Sequence, residues 1–399
     1  MKALVTSMMV VIISGIHRIS GESFGGVMTS SLIVTITDET NYGNRLQNYA
    51  LAQLLMAYGD CTTARFILSV SAPRAYYKIH ARELLHLSKV KSGVKASLHL
   101  LSAEEELIYR RLQKMKHFTK EYMPNDRFEL TEYKGLISKP GASFDTVVLG
   151  SDQIWNPNFM SLEELKLHLG SSFDSSTRVI SYAASFGVSV VEDPKIREVF
   201  SEYLPRLSSV SVRECDGKIL VEQLSKREAT VVLDPTLMVP ADKWLSITHS
   251  FVPADEKYVL TYFLGKPTMR QEQCIQQFAK EHHCAIRRML DFRDSKDYVA
   301  GPEDFVELFS KAQYVFTDSY HAYCFSILFQ KQFTVFARAG FSKDNNMNSR
   351  METLFRLFEL DAVVSESELA PQINYARVNE LLREHRRASS AWLDAAMGR

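Results

Sequence analysis

From Ser31 onward, short runs of β-branched and apolar residues alternate with stretches whose apolar positions recur at helical spacing. That alternation is the pattern of βα units feeding parallel sheets buried on both faces. The clearest strands are read at Leu32–Thr37, Thr146–Leu149, Val179–Ser181, Val210–Arg213, Val231–Leu233, Tyr258–Phe263, Tyr314–Thr317 and Phe333–Phe336. Helical spacing follows several of them, at Arg45–Tyr58, Gln271–Glu281 and Tyr320–Phe329, and a last basic amphipathic helix is expected over about Ala376–Met397, packed on one lobe. The expected fold is α/β, with two Rossmann-like lobes built on parallel sheets.

Two segments break the alternation. Between about Val70 and Pro140 the strand pattern disappears, and 14 Lys/Arg stand against 8 Asp/Glu; the stretch reads as a helical insertion in the first lobe. It is either a solvated helical face or a basic surface for a charged glycan or a lipid-linked acceptor. The stretch Asp234-Pro235-Thr236 through Pro240 has turn chemistry and no helical spacing, which makes it the expected hinge. The domain reading is then an N-terminal extension over 1–30, a first lobe over 31–240 and a second lobe over 241–399 that ends in the terminal helix. In the extension, Lys2 precedes an apolar run from Ala3 to Ile16 and small residues around Ser20–Ser31, so it reads as a non-structural extension or a targeting segment.

A length of 399 residues suits two lobes, and 46% hydrophobic with 24% charged residues suits a chain that folds throughout. The formal net charge of zero gives no global attraction to nucleic acid, so recognition has to be local. The five cysteines, Cys61, Cys215, Cys274, Cys284 and Cys324, form no CxxC pair, and no Asn-x-Ser/Thr acceptor occurs. Both point to a reducing, cytoplasmic setting.

Three strand ends carry polar residues just before a helix, where parallel sheets place ligands and free N–H groups favour anions. In Asp38 to Gln47, Gly43 permits a tight turn, Asn44 is a cap candidate, and Arg45 is a cation in a first turn, where the helix dipole disfavours it unless it serves an anion. In Gly150-Ser151-Asp152-Gln153, Ser151 or Asp152 is the cap candidate and Trp155 a core filler. In Thr317-Asp318-Ser319-Tyr320-His321, Ser319 is the natural N-cap and His321 falls in the first turn, either as a structural histidine or as one tuned for proton transfer. Arg213, at a fourth strand end, pairs with a nearby carboxylate or with a ligand. No phosphate loop, dinucleotide turn, zinc helix or nucleophile elbow occurs, and Asp291, Asp294 and Asp297 are spaced as a polar loop; neither a metal nor a redox cofactor is expected.

Taken in order, Thr40–Tyr49, Leu149–Asn156, Ser181–Gly187, Ser211–Glu214, Leu233–Thr236 and Thr317–His321 resemble the polysaccharide pyruvyl transferase family. The resemblance implies a GT-B-like arrangement of the two lobes. It also implies transfer of a pyruvyl group from phosphoenolpyruvate to a hydroxyl pair on a polysaccharide or its precursor, either free or lipid-linked and then met by peripheral membrane contact. Family members usually carry Arg just before the histidine, often as Arg-Leu-His; here Ser319-Tyr320 stands there. The donor's charge then falls to Arg213, Arg45 or Arg350, helped by Asn44 and the loop around Ser319. His321 is the expected acid or base, with Asp152 or Glu214 orienting groups nearby. Two other functions fit the same pattern: a glycosyltransferase using a nucleotide sugar, or a catalytically silent glycan-binding relative.

Overall fold

The computed structural model describes residues 29–68, 101–123, 125–131, 135–137, 144–249, 256–337 and 348–399. Two sheets organise them. The first comprises β1 (Thr29–Val34), β2 (Gly59–Leu68), β3 (Asn125–Thr131), β4 (Gly135–Ile137), β5 (Thr146–Leu149), β6 (Arg178–Ala184), β7 (Ser209–Val212) and β8 (Thr230–Val231), in spatial order β4-β3-β2-β1-β5-β6-β7-β8. The second comprises β9 (Tyr258–Tyr262), β10 (Ala285–Met289), β11 (Tyr314–Thr317), β12 (Gln332–Phe336) and β13 (Val364–Ser365), in order β10-β9-β11-β12-β13. Every pairing is parallel except that of β3 with β4. The expected α/β class with two parallel-sheet lobes is therefore what the chain adopts.

The central strands owe their place to unbroken apolar runs. β5, β9 and β11 are buried at every residue, which requires helices on both sheet faces. Between the lobes lies one continuous core. Tyr42, Leu46 and Tyr49 of the helix Tyr42–Leu55 meet Tyr258, Tyr262, Phe305 and Phe325 of the second lobe there. The Tyr42 ring stands 5.9 Å from Tyr262 and 5.3 Å from Phe305, and its hydroxyl donates to the Ala300 carbonyl at 2.6 Å. Burying one such ring contributes roughly 1.5–3 kcal/mol, so the lobes are held together by packing as well as by the chain.

Four expectations need correcting. The 70–140 segment does contain the helix Ala103–Tyr122, closed by a capping box between Ser102 and Glu105, but β3 and β4 lie there too; polar Asn125-Asp126-Arg127 conceals the start of β3. Residues 70–100 of that segment lie outside the described residues. The stretch after Asp234 is no open turn: Pro235–Met238 form a one-turn helix, wholly buried, because Asp234 caps it and Leu237 and Met238 enter the inter-lobe core. The terminal helix, Tyr375–Met397, packs on both lobes rather than one. Its Val378, Leu381 and Leu382 join the inter-lobe core, while Leu393, Ala396 and Met397 pack with Ile33, Leu51 and Tyr58 of the first lobe. It also fastens the crossover, with Ser389 Oγ accepting from Leu233 N at 3.0 Å and Arg386 donating to the Leu237 and Val239 carbonyls at 2.6 and 3.1 Å. Finally, Thr29 and Ser30 already belong to β1; the rest of the expected extension, with its targeting reading, lies outside the described residues.

Candidate active site

A parallel sheet leaves a crevice at the carboxyl ends of its strands where the strand order reverses. The reversals fall between β1 and β5 in one sheet and between β9 and β11 in the other. The loops leaving these strands meet at Gly43 and His321. A Cβ added to Gly43 would stand 2.1 Å from Nδ1 and 2.6 Å from Cε1 of His321, closer than any real contact, so only glycine lets the helix Tyr42–Leu55 approach the imidazole. Gly43→Ala should therefore push the ring out of place. We expect turnover to fall by at least tenfold and the fold to lose about 1–3 kcal/mol, measured by steady-state kinetics and denaturant unfolding.

Behind His321 the first lobe supplies a buried ionic cluster. Asp152 follows β5 in a left-handed backbone (φ 71°), bridged to Ala184 at the bulged end of β6. Such a conformation costs a non-glycine residue roughly 1–3 kcal/mol and persists where the surroundings enforce it. Ser185 N donates to its carbonyl at 3.0 Å, and the Asn44 amide donates to its carboxylate. Arg213, 2% exposed at the end of β7, reaches Asp234 at 2.8 Å and Asp152 at 3.3 Å with its two terminal nitrogens. Asp234 also accepts from Ser151 Oγ at 2.8 Å and from the Thr236 amide and hydroxyl at 2.9 and 2.7 Å. The second lobe closes the cluster with Tyr320, whose ring lies 4.2 Å from the Arg213 guanidinium, a cation–π contact. His321 Nε2 lies 3.9 Å from Asp234, and Arg350 stands 4.0 Å from Asp152.

These contacts set the protonation states. Burial pushes the His321 imidazole below its ordinary 6.5, Arg213 and Arg350 push the same way, and Asp234 and Asp152 only partly oppose them. Burial would lift Asp234, yet Arg213, His321 and the Thr236 hydrogen bond hold it at about 2; Asp152 is likewise held low against its burial by Arg213, His321 and Arg350. Glu214 goes the other way, because burial raises it more than Arg213 and Arg350 lower it. Its Oε1 accepts from the Phe186 and Gly187 amides at 2.7 and 3.3 Å, whereas Oε2 has no hydrogen-bond partner among the described residues. Burial brings Arg350 down to about 10. Its Nε, like His321 Nε2, is buried without a hydrogen-bond partner among the described residues. Two charged pairs thus nearly cancel, around an imidazole that is neutral at pH 7 and a carboxyl inclined to keep its proton.

Residues 41–340 match the family model for polysaccharide pyruvyl transferase, well over half of the chain. The chain belongs to the polysaccharide pyruvyl transferase family. The pyruvyl transferase match takes in Gly43, Asp152, Arg213, Asp234 and His321 and ends ahead of Arg350. No curated protein matches the chain. Among solved structures, the UDP-GlcNAc 2-epimerase of Neisseria meningitidis bound to UDP-GlcNAc is similar at 11% identity and a TM-score of 0.40, covering 89% of this chain and 98% of that one. The UDP-GlcNAc 2-epimerase of Methanocaldococcus jannaschii is similar at 11% identity and a TM-score of 0.40, covering 90% and 99%.

Of the residues singled out from sequence, the fold brings Asn44, Asp152, Arg213, Glu214, His321 and Arg350 together. Asn44 is not the cap, however: Asn41 is, accepting from Asn44 N at 3.4 Å, which leaves the Asn44 amide for Asp152. Ser319 occupies the N-cap position, but its hydroxyl makes no capping bond; its amide donates to Thr317 Oγ1 at 3.0 Å instead. Arg45 lies apart, donating to the Ile36 carbonyl at 3.1 Å with Glu39 and Asp38 as its charged neighbours, and burial brings it down to about 10. The three loop aspartates each have a protein partner: Asp297 pairs with Arg287, Asp291 with Arg293, and Asp294 caps the helix Ser295–Tyr298. The sequence reading missed Asp234 and Gly43 as site residues. An aspartate between a strand and Pro-Thr caps a helix, but nothing local says that its second oxygen meets an arginine from another strand.

Proposed function

We propose that this chain transfers the pyruvyl group of phosphoenolpyruvate to two hydroxyls of a sugar in a polysaccharide or its precursor, forming a ketal and releasing phosphate in the cytoplasm. Membership of the pyruvyl transferase family supports the class of reaction. The observation that carries it is the neutral, buried His321 beside Arg350, each with a buried nitrogen lacking a hydrogen-bond partner among the described residues. The chemistry needs a proton at the donor's methylene carbon, stabilisation of the adjacent cationic carbon, and removal of protons from the attacking hydroxyls. Of the two hydroxyl hydrogens, one balances the new methyl group and one leaves with phosphate. In this reading His321 accepts the proton of the first attacking hydroxyl and Glu214, lifted by burial, supplies the methyl proton. Arg350 holds the donor's carboxylate or phosphate. Arg213, with both terminal nitrogens on aspartates, acts by shaping the cluster, and Arg45 stays outside the reaction.

Saturating phosphoenolpyruvate should raise the melting temperature, since binding at 100 times Kd stabilises by about 2.7 kcal/mol. With acceptor, phosphate release should accompany a new ketal methyl resonance. If a nucleotide sugar stabilises the chain and phosphoenolpyruvate does not, the glycosyltransferase reading takes its place. The pH dependence follows from His321. Its folded pKa is lowered, so the basic form persists on acidification past 6.5. The acidic limb of kcat/KM, which reports the free protein, should therefore lie below 6.5 in wild type, and an acidic limb at 7 or above would remove His321 from the role of base.

A further inference from the structure

Glu214 stands at the N-cap of the helix Cys215–Ser225, yet its side chain makes no capping bond. Its Oε1 is turned instead to the Phe186 and Gly187 amides, so the helix start has to find another acceptor. That acceptor comes from the other lobe. Thr353, on the helix Asn348–Leu357, accepts from Cys215 N with its Oγ1 at 3.0 Å. A threonine hydroxyl is among the favoured acceptors for the first amides of a helix. Here it is supplied across the cleft, by a residue 138 positions along the chain.

The same helix carries Arg350 one turn earlier, and residues at that spacing lie on one helix face. Arg350 is only loosely fixed by contacts of its own. It stands 4.0 Å from Asp152 and 6.0 Å from the Tyr320 ring, and its Nε is buried without a hydrogen-bond partner among the described residues. Its place is therefore set by the backbone that bears it, and that backbone is fastened to the first lobe at Thr353. On the other side of the bond, Cys215 directly follows Glu214, whose carboxyl lies within reach of the Arg350 charge. A single hydrogen bond thus ties the segment bearing Arg350 to the segment bearing Glu214. We propose that Thr353 is a positioning residue for pyruvyl transfer: its bond to Cys215 N sets Arg350 against Glu214, so that the donor's anion and the methyl proton are held in one register. The proposal rests on the reading above for the roles of Arg350 and Glu214.

The test compares Thr353→Val, which keeps the branched shape and removes the acceptor, with Thr353→Ser, which keeps the hydroxyl. Cys215 is exposed, so water can take over its amide and the Val variant should fold. Calorimetric titration of the full chain with phosphoenolpyruvate should show affinity weakened by about fivefold in Thr353→Val, the worth of one hydrogen bond, and within about twofold of wild type in Thr353→Ser. Single-turnover ketal formation at saturating donor should fall by about tenfold in the first variant and be kept in the second. A merely structural contact would lower the melting temperature and move neither quantity. Hydrogen exchange at the Cys215 amide, followed without donor, should be about tenfold faster in Thr353→Val than in wild type. A Val variant that binds and reacts within about twofold of wild type, or a Ser variant as impaired as the Val one, would overturn the proposal. Equal exchange in all three proteins would overturn it too. If phosphoenolpyruvate gives no heat with wild type, the donor reading fails, while the exchange comparison still decides whether Thr353 ties the two helices.

Discussion

His321→Gln should lower single-turnover product formation by about 10²- to 10⁴-fold at saturating donor, with donor affinity nearly unaltered. The glutamine amide fills much the same space and keeps a hydrogen-bonding end, but it cannot take a proton near pH 7. If the imidazole only positioned the donor, the variant would instead show a raised apparent KM and a nearly normal single-turnover rate. The site argues for the first outcome. His321 Nε2 is buried 3.9 Å from Asp234, which can steady the imidazolium that forms when a proton arrives. Burial and the two arginines keep that proton off beforehand. A His321→Gln enzyme that binds phosphoenolpyruvate normally and reacts within a few-fold of wild type would pass the role to Asp152 or Glu214.

Replacing Arg213 by Met should cost the fold about 3–5 kcal/mol, because it strands two buried carboxylates that the guanidinium now pairs. From sequence this arginine looked like a donor ligand; its geometry makes stability the larger effect. Both terminal nitrogens are engaged and the side chain is fully buried. The pH dependence gives a check that a packing defect alone would not mimic. In wild type Asp234 is depressed to about 2. Its contribution is present above the unfolded value, near 3.9, and is lost as pH falls through about 2. Without Arg213 both aspartates should take protons at higher pH, which relieves the buried charge. The stability gap between Arg213→Met and wild type, read from denaturant unfolding, should therefore narrow below about pH 4. A constant gap, or a loss under 1 kcal/mol with donor binding abolished, would return Arg213 to the role of ligand.

The apolar strands were legible because burial on both faces writes itself into consecutive residues; β5 and β11 begin and end where the pattern says. β10 was not, since Arg287 and Arg288 interrupt it. Their charges are matched by Asp297 and Glu272, ten and sixteen residues away in sequence. The site divides along the same line. A polar residue after a strand can be flagged from its own neighbourhood, and His321, Asp152 and Arg213 were. What each one touches is set by partners that only the fold supplies. Arg213 meets Asp152 across 61 residues, and Ser151 meets Asp234 across 83. Gly43 shows the limit most clearly: its local reading was a turn, while the need for glycine comes from an imidazole in the other lobe.

The terminal helix has a consequence for how the molecule comes into being. A ribosome adds about 5–20 residues per second, so both sheets and every cluster residue are made before Tyr375–Met397 leaves the exit tunnel. Each lobe can begin to fold on its own strands during synthesis. The crossover at Leu233–Val239 and the floor beneath β1 nevertheless lack Ser389, Arg386, Leu393 and Met397 until then. The packing of that crossover is thus completed only by residues translated well after both sheets.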